Sequence, residues 1–165
     1  MTIIVEDGTI VADANSYVTV AELDTFASLR GVTLPTLEAD KEVLLIQGTD
    51  YTETFWDRYQ GTIVDETQSL QFPRNGVYVN GFLVASNAIP QSLKNAQMQA
   101  AIESISTTLS PNTGQNIKKE KVDVIEVEYQ DGDGSLYAPT FPSVDKYLDK
   151  LLNNGGNFLL VNPIR

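Results

Sequence analysis

The chain of 165 residues contains no cysteine and no histidine. Without cysteine there is no disulfide, no thiol nucleophile and no thiolate metal site. Without histidine the usual general base near neutral pH, the commonest transition-metal ligand and every Ser–His or Cys–His arrangement are also gone. Positive charge is scarce: 11 basic residues stand against 22 acidic ones, a formal charge of −11. Gripping a phosphate backbone rests on Lys and Arg displacing counterions, so this balance argues against such a grip. The only basic cluster, Lys118, Lys119 and Lys121, is interrupted by Glu120 and reads as a solvated strand face. No apolar run approaches the roughly 20 residues that span a bilayer, so no membrane partner is expected. The start, Met1-Thr-Ile-Ile-Val-Glu-Asp7, lacks the charged and apolar regions of a signal peptide.

What is present describes a globular chain. An apolar content of 42% is enough for a core, and a chain of this length buries about two thirds of its unfolded surface. Thr19 and Glu22 have capping-box spacing ahead of a helix expected over Val20–Arg30, with Leu23, Phe26, Ala27 and Arg30 on one face and Gly31 as the stop. A second helix is expected over Leu37–Trp56, its stripe running through Leu37, Leu44, Leu45, Gly48, Tyr51, Thr52 and Phe55. Gly48 inside that stripe costs about 1 kcal/mol against Ala, a cost that close approach by another backbone would offset. Trp56 reads as a core or interface anchor rather than a base-stacking platform.

Residues 57–89 carry no helical period. Within them Gly76-Val-Tyr-Val79, Asn80-Gly81 and Phe82-Leu-Val84 spell a hairpin, because Asn-Gly suits a type I′ turn. Pro73 forbids a helix before it. A third helix is expected from Pro90, in the first helical position, to Leu109, with Leu93, Ala96, Ala100, Ala101 and Ile105 as a narrow packing stripe. Ile117–Tyr129 reads as a second hairpin with Asp123-Val124 at its tip. Ser143 would cap a last helix over Val144–Asn153, with Val144, Tyr147, Leu148, Leu151 and Leu152 on one face. The expected fold is mainly α (α+β): a four-helix domain over residues 1–154 with two small hairpins, and an extended C-terminal arm over residues 155–165.

That arm follows the hinge Gly155-Gly156. Phe158, Leu159, Leu160, Val161 and Ile164 are too apolar for a solvated tail, and Pro163 rules out a helix. Such a segment needs an external groove or a neighbour's sheet edge; the alternative is that it folds back as an edge strand of its own domain. The Val77, Val79, Phe82 and Val84 side chains offer more apolar surface than a lone two-stranded ribbon hides, so they are expected to meet another subunit.

No constellation points to catalysis, and no cofactor or metal is assigned. Asp131-Gly-Asp133 resembles the start of a calcium loop, but the twelfth position, where a bidentate Glu belongs, is Pro142. A loose divalent-ion site there is weighed against a solvated turn. Glu38 and Glu42 share a helix face with Lys41 beside them, an ordinary exposed surface.

The order of motifs is more specific than any one of them. Glu6-Asp-Gly8 leads to Ala14-Asn-Ser-Tyr-Val18; then come Thr49-Asp-Tyr51 and Trp56, with Gly61 beyond. Gln68-Ser-Leu-Gln-Phe-Pro-Arg74 precedes Gly76-Val77, and Ala88-Ile-Pro90 opens a helix. Lys119-Glu-Lys-Val122 runs on through Ile125-Glu-Val-Glu-Tyr129. Over roughly residues 3–152 this resembles the small tailed-bacteriophage proteins labelled DnaT-like and single-stranded-DNA binding, whose genes lie among virion structural genes. The longer C-terminal arm and Phe72, where Trp is common, depart from that pattern. The resemblance implies a connector-type fold and a head–tail adaptor in the virion neck. Such an adaptor is a homo-oligomeric ring, commonly of twelve copies, between the portal protein and a tail or tail-completion protein. Its C-terminal arm docks on the portal, and genome DNA passes through without specific binding. An acidic lumen would repel phosphate, which accords with the charge. Two alternatives stand beside it: a single-stranded-DNA-binding replication accessory, with seven tyrosines able to stack bases, and a tail-completion protein.

Overall fold

A computed structural model describes residues 2–110, 119–122, 125–128 and 141–153. The elements run α1 (Val20–Ser28), α2 (Glu38–Glu53), β1 (Thr62–Ile63), β2 (Arg74–Asn75), β3 (Tyr78–Val79), β4 (Phe82–Leu83), α3 (Gln91–Glu103), β5 (Lys119–Val122), β6 (Ile125–Glu128) and α4 (Pro142–Leu148). Among the described residues this is an α+β architecture with four helices, as the sequence leads one to expect, and the strands there form three antiparallel pairs rather than two: β1–β2, β3–β4 and β5–β6. The unforeseen pair closes when Thr62 meets Asn75 and Ile63 meets Arg74, a tertiary contact with no local turn signal. Among the described residues no helix is long and apolar enough to cross a membrane.

Local chemistry sets the beginning of α1. The Thr19 side chain accepts from the Glu22 amide at 3.2 Å and the Glu22 carboxylate accepts from the Thr19 amide at 2.7 Å, a complete capping box. In the second hairpin the register pairs Val122 with Ile125, leaving two residues between the strands as expected. Asn80 (φ +53°) and Gly81 (φ +84°) both take the left-handed conformation that a type I′ turn requires.

Helix α3 is central, since its two faces serve two apolar clusters. Leu93, Ala96 and Ala100 meet Tyr17, Phe72, Val77, Val144 and Leu148, whereas Met98 and Ala101 meet Val18, Leu23, Phe26 and Leu45. The small residues of α3 bring it close to α2. A Cβ on Gly48 would stand 2.5 Å from the Gln97 carbonyl oxygen and 3.1 Å from the Ala101 amide nitrogen, so the backbone approach inferred from the sequence is present. Burying Gln97 among those helices requires partners for its amide. Its Oε1 accepts from the Tyr17 amide at 2.9 Å, and its Nε2 lies 2.8 Å from Ser16 Oγ, 2.9 Å from Thr49 Oγ1 and 3.1 Å from the Leu45 carbonyl.

Several expected boundaries and faces are corrected. Helix α2 ends at Glu53 and the chain turns through Trp56. Leu37 and Ile105 are exposed rather than buried, because each lies at or beyond a helix end where no facing element reaches it. Pro90 is the N-cap of α3 and not its first helical residue. Ser143 does not cap α4, which begins at Pro142; its hydroxyl instead donates to Glu103 Oε1 at 2.7 Å, pinning α4 to α3.

Candidate nucleic-acid interface

The chain leaves α2 through a turn in which the Trp56 amide donates to the Glu53 carbonyl at 3.2 Å and the Arg58 amide to the Phe55 carbonyl at 2.9 Å. Tyr59 then plunges into the core. Its hydroxyl donates to the Thr52 carbonyl at 2.8 Å and its ring packs edge-on against Phe72 at 5.0 Å. With Tyr59 anchored, its chain neighbours project outward, and Trp56 is 63% exposed. Of the two anchor roles read for Trp56, core or interface, the core one is corrected: the helix ends before it, and the neighbouring Phe55 takes the place against the core.

Gln60 ties this turn to two other segments. Its amide donates to the Leu151 carbonyl at 2.9 Å and its Nε2 to the Lys150 carbonyl at 3.2 Å. Its Oε1 accepts from the Tyr78 amide at 3.0 Å, and its own carbonyl accepts from Arg74 Nε at 2.8 Å. The Asn153 amide closes the junction by donating to the Arg58 carbonyl at 2.7 Å. Three short segments that would wander alone thus form one framework displaying Trp56, Arg58, Tyr78 and Lys150. Tyr78 is 53% exposed, and both cations are exposed.

Positive charge elsewhere among the described residues is largely committed. Lys41 pairs with Asp24 at 2.6 Å and Lys94 with Glu22 at 3.1 Å. The Arg74 side chain is buried against Gln60, Gly61 and Gln71, and Arg30 lies 3.4 Å over the Phe26 ring with Nη1 on the Phe26 carbonyl. Arg58, Lys146 and Lys150 take part in no ion pair among the described residues; Arg58 lies 5.4 Å over the Phe55 ring and Lys146 4.8 Å over the Tyr147 ring, and Asp57 and Asp149 are exposed beside Arg58 and Lys150 in sequence. Burial raises the Asp145 carboxyl above its ordinary value, as does the charge of Asp149, with Arg58 opposing both. Register sets Lys119 opposite Glu128 and Lys121 opposite Glu126 in the β5–β6 ribbon.

At the end of α2 lies a partly buried carboxylate that the sequence did not disclose. Glu53 accepts from the Tyr17 hydroxyl at 2.6 Å and from the Gln71 amide at 2.9 Å. Burial raises its carboxyl above the ordinary value despite those bonds, and burial, with the Glu53 charge, pushes the Tyr17 hydroxyl well up. Burial likewise lifts the Tyr51 hydroxyl to about 12. Glu53 and Tyr17 hold the loop after Leu70 by accepting from the Gln71 and Phe72 amides.

The residues assigned to an inter-subunit contact divide. Val77 is fully buried, and Val79 and Val84 pack partly buried against the protein's own core, leaving Phe82 exposed at 79%. The hairpin root thus has an intramolecular partner that the sequence could not reveal, and its tip projects past the core. The arm residues Phe158, Leu159, Leu160, Val161 and Ile164, and the Asp131–Asp133 turn, lie outside the described residues. Gln60, Arg74 and Gln97 were missed as organising residues. Only the burial of a long polar side chain marks them, and no sequence spacing signals that.

The described residues define an α+β architecture. The chain belongs to the family described as "Putative DnaT-like ssDNA binding protein", whose model matches residues 1–165. No curated protein and no solved structure matches the chain. The family match overturns the reading of a virion head–tail adaptor that joins portal to tail: the name points to single-stranded DNA, the alternative that the charge count had argued against. Net charge weighs long-range steering, and it does not forbid a small surface from contacting bases.

Proposed function

We propose that the protein binds single-stranded DNA and serves as an accessory in replication. The family match across the entire chain carries this reading. Support also comes from the exposed Trp56 and Tyr78 rings, carried on the same hydrogen-bonded framework as Arg58 and Lys150, which form no ion pair among the described residues. Binding of single strands without sequence preference combines aromatic faces for bases with cations for the backbone. The same features disfavour duplex DNA, whose bases are already stacked and whose denser phosphate charge a −11 chain repels.

Fluorescence anisotropy of a dye-labelled, unstructured oligonucleotide tests the proposal, with a duplex of the same length as comparison. Saturable binding of the single strand, at least about tenfold tighter than the duplex, is expected; tenfold corresponds to 1.4 kcal/mol. Absence of single-strand binding at low salt, or equal affinity for the duplex, would overturn it.

A further inference from the structure

Resting on the single-strand reading, we infer that DNA engages the surface formed by Trp56, Arg58, Tyr78 and Lys150, and that stacking rather than charge supplies most of the affinity. An exposed indole beside the end of a helix gives up burial that a core position would provide. Here the surrounding backbone is fixed by Tyr59 below it and by Gln60, which bonds both the Tyr78 amide and the Lys150 carbonyl. The rings are thus presented on a pinned framework, which lowers the ordering cost of binding.

Charge on this surface is close to balanced. Arg58 and Lys150 are its cations, and Asp57 and Asp149 stand next to them in sequence. At most about two phosphates are neutralised, so the logarithm of affinity falls with the logarithm of salt at a slope no steeper than about −1.4, taking −0.7 per phosphate for single strands. Each base stacked on an aromatic ring contributes enough that its removal weakens binding by about 5- to 150-fold. Stacking of this kind accepts every base, so the site tolerates all sequences.

Other surfaces fit single-stranded DNA less well. The groove between α1 and α3, of about 380 Å³, is lined by Phe26, Leu29, Met98, Arg30 and the acidic Glu22; its one aromatic ring, Phe26, is buried and offers no face to a base. The hairpin tip at Phe82 and Leu83 is apolar without a cation on the same strand.

Trp56 is the only tryptophan of the chain, so its fluorescence reports this surface alone. Titration with oligothymidylate, followed by Trp emission and by anisotropy of the labelled strand, is expected to give quenching that saturates with the same Kd as the anisotropy. Trp56→Ala and Tyr78→Ala are each expected to weaken binding by about 5- to 150-fold with unchanged circular dichroism. Trp56→Phe should restore part of the loss, and Arg58→Gln should make the salt slope shallower. Anisotropy without quenching, undiminished binding by Trp56→Ala, or a salt slope of about −4 or steeper would remove the surface assignment while leaving single-strand binding intact. No binding in either signal would remove both.

Discussion

Replacing Gln97 with Met isolates a single buried donor, and the structure says which one. Gln97 is fully buried on α3. Methionine has nearly the same length and volume and similar helix propensity, so neither a cavity nor a helix penalty enters. Four partners lose a bond, yet three of them keep another. The Ser16 hydroxyl still donates to the Val18 carbonyl at 2.7 Å, and the Thr49 hydroxyl to the Leu45 carbonyl at 3.0 Å, which also keeps that carbonyl satisfied. The Tyr17 amide has only Gln97 Oε1, and it sits beside a fully buried side chain. An orphaned buried donor costs about 1–3 kcal/mol. At this chain length that corresponds to a Tm lowered by roughly 2–12 °C, taking 2–4 °C per kcal/mol. Urea unfolding followed by far-ultraviolet circular dichroism gives the free energy, and an unchanged m-value shows that the denatured state has not altered. A loss below about 0.5 kcal/mol, or a gain, would refute the accounting by showing that Tyr17 finds another acceptor.

Three further outcomes are expected. Gly48→Ala adds about 1 kcal/mol of helix propensity but drives a methyl against the Gln97 carbonyl at 2.5 Å; since overpacking costs about 1–3 kcal/mol or more, calorimetry should show net destabilisation, and a raised Tm would contradict the close approach of α2 and α3. Within one hairpin, Val77→Ala should cost roughly 1–3 kcal/mol while Phe82→Asp stays within about 0.5 kcal/mol, measured by urea midpoint; equal effects would mean that the two are not oppositely buried. The pH series concerns Glu53, whose folded pKa is raised from 4.5 chiefly by burial. Its contribution is present below the unfolded value and is lost as pH rises through the folded one, so the stability of Glu53→Gln relative to the parent should increase from about pH 4 towards pH 7. A difference that stays flat, or falls, across that range would sink the assignment.

Signals carried within a few residues could be read directly. The Thr19–Glu22 box starts α1, Asn80-Gly81 turns the hairpin, and the stripe through Leu44, Leu45, Gly48 and Tyr51 faces inward. These depend on dihedral preference, on hydrogen bonds across three residues, or on helical period, all of which the local sequence states. Ordered motifs along the chain likewise identified the family, although the function inferred from them was corrected by what the family is named for. Burial of Val77 and exposure of Phe82 five residues later could not be read, because both are apolar and only the position of the core beneath the hairpin distinguishes them. The same holds for Trp56, read as a core or interface anchor: its size fits either, and only the early end of α2, which leaves it in solvent, excludes the core. Gln97 reaches Tyr17 across 80 positions of sequence and Gln60 reaches Lys150 across 90. A polar side chain at such separation gains its partner only when the chain has folded, so the tertiary structure alone decides which glutamines organise the molecule and where the candidate DNA surface lies.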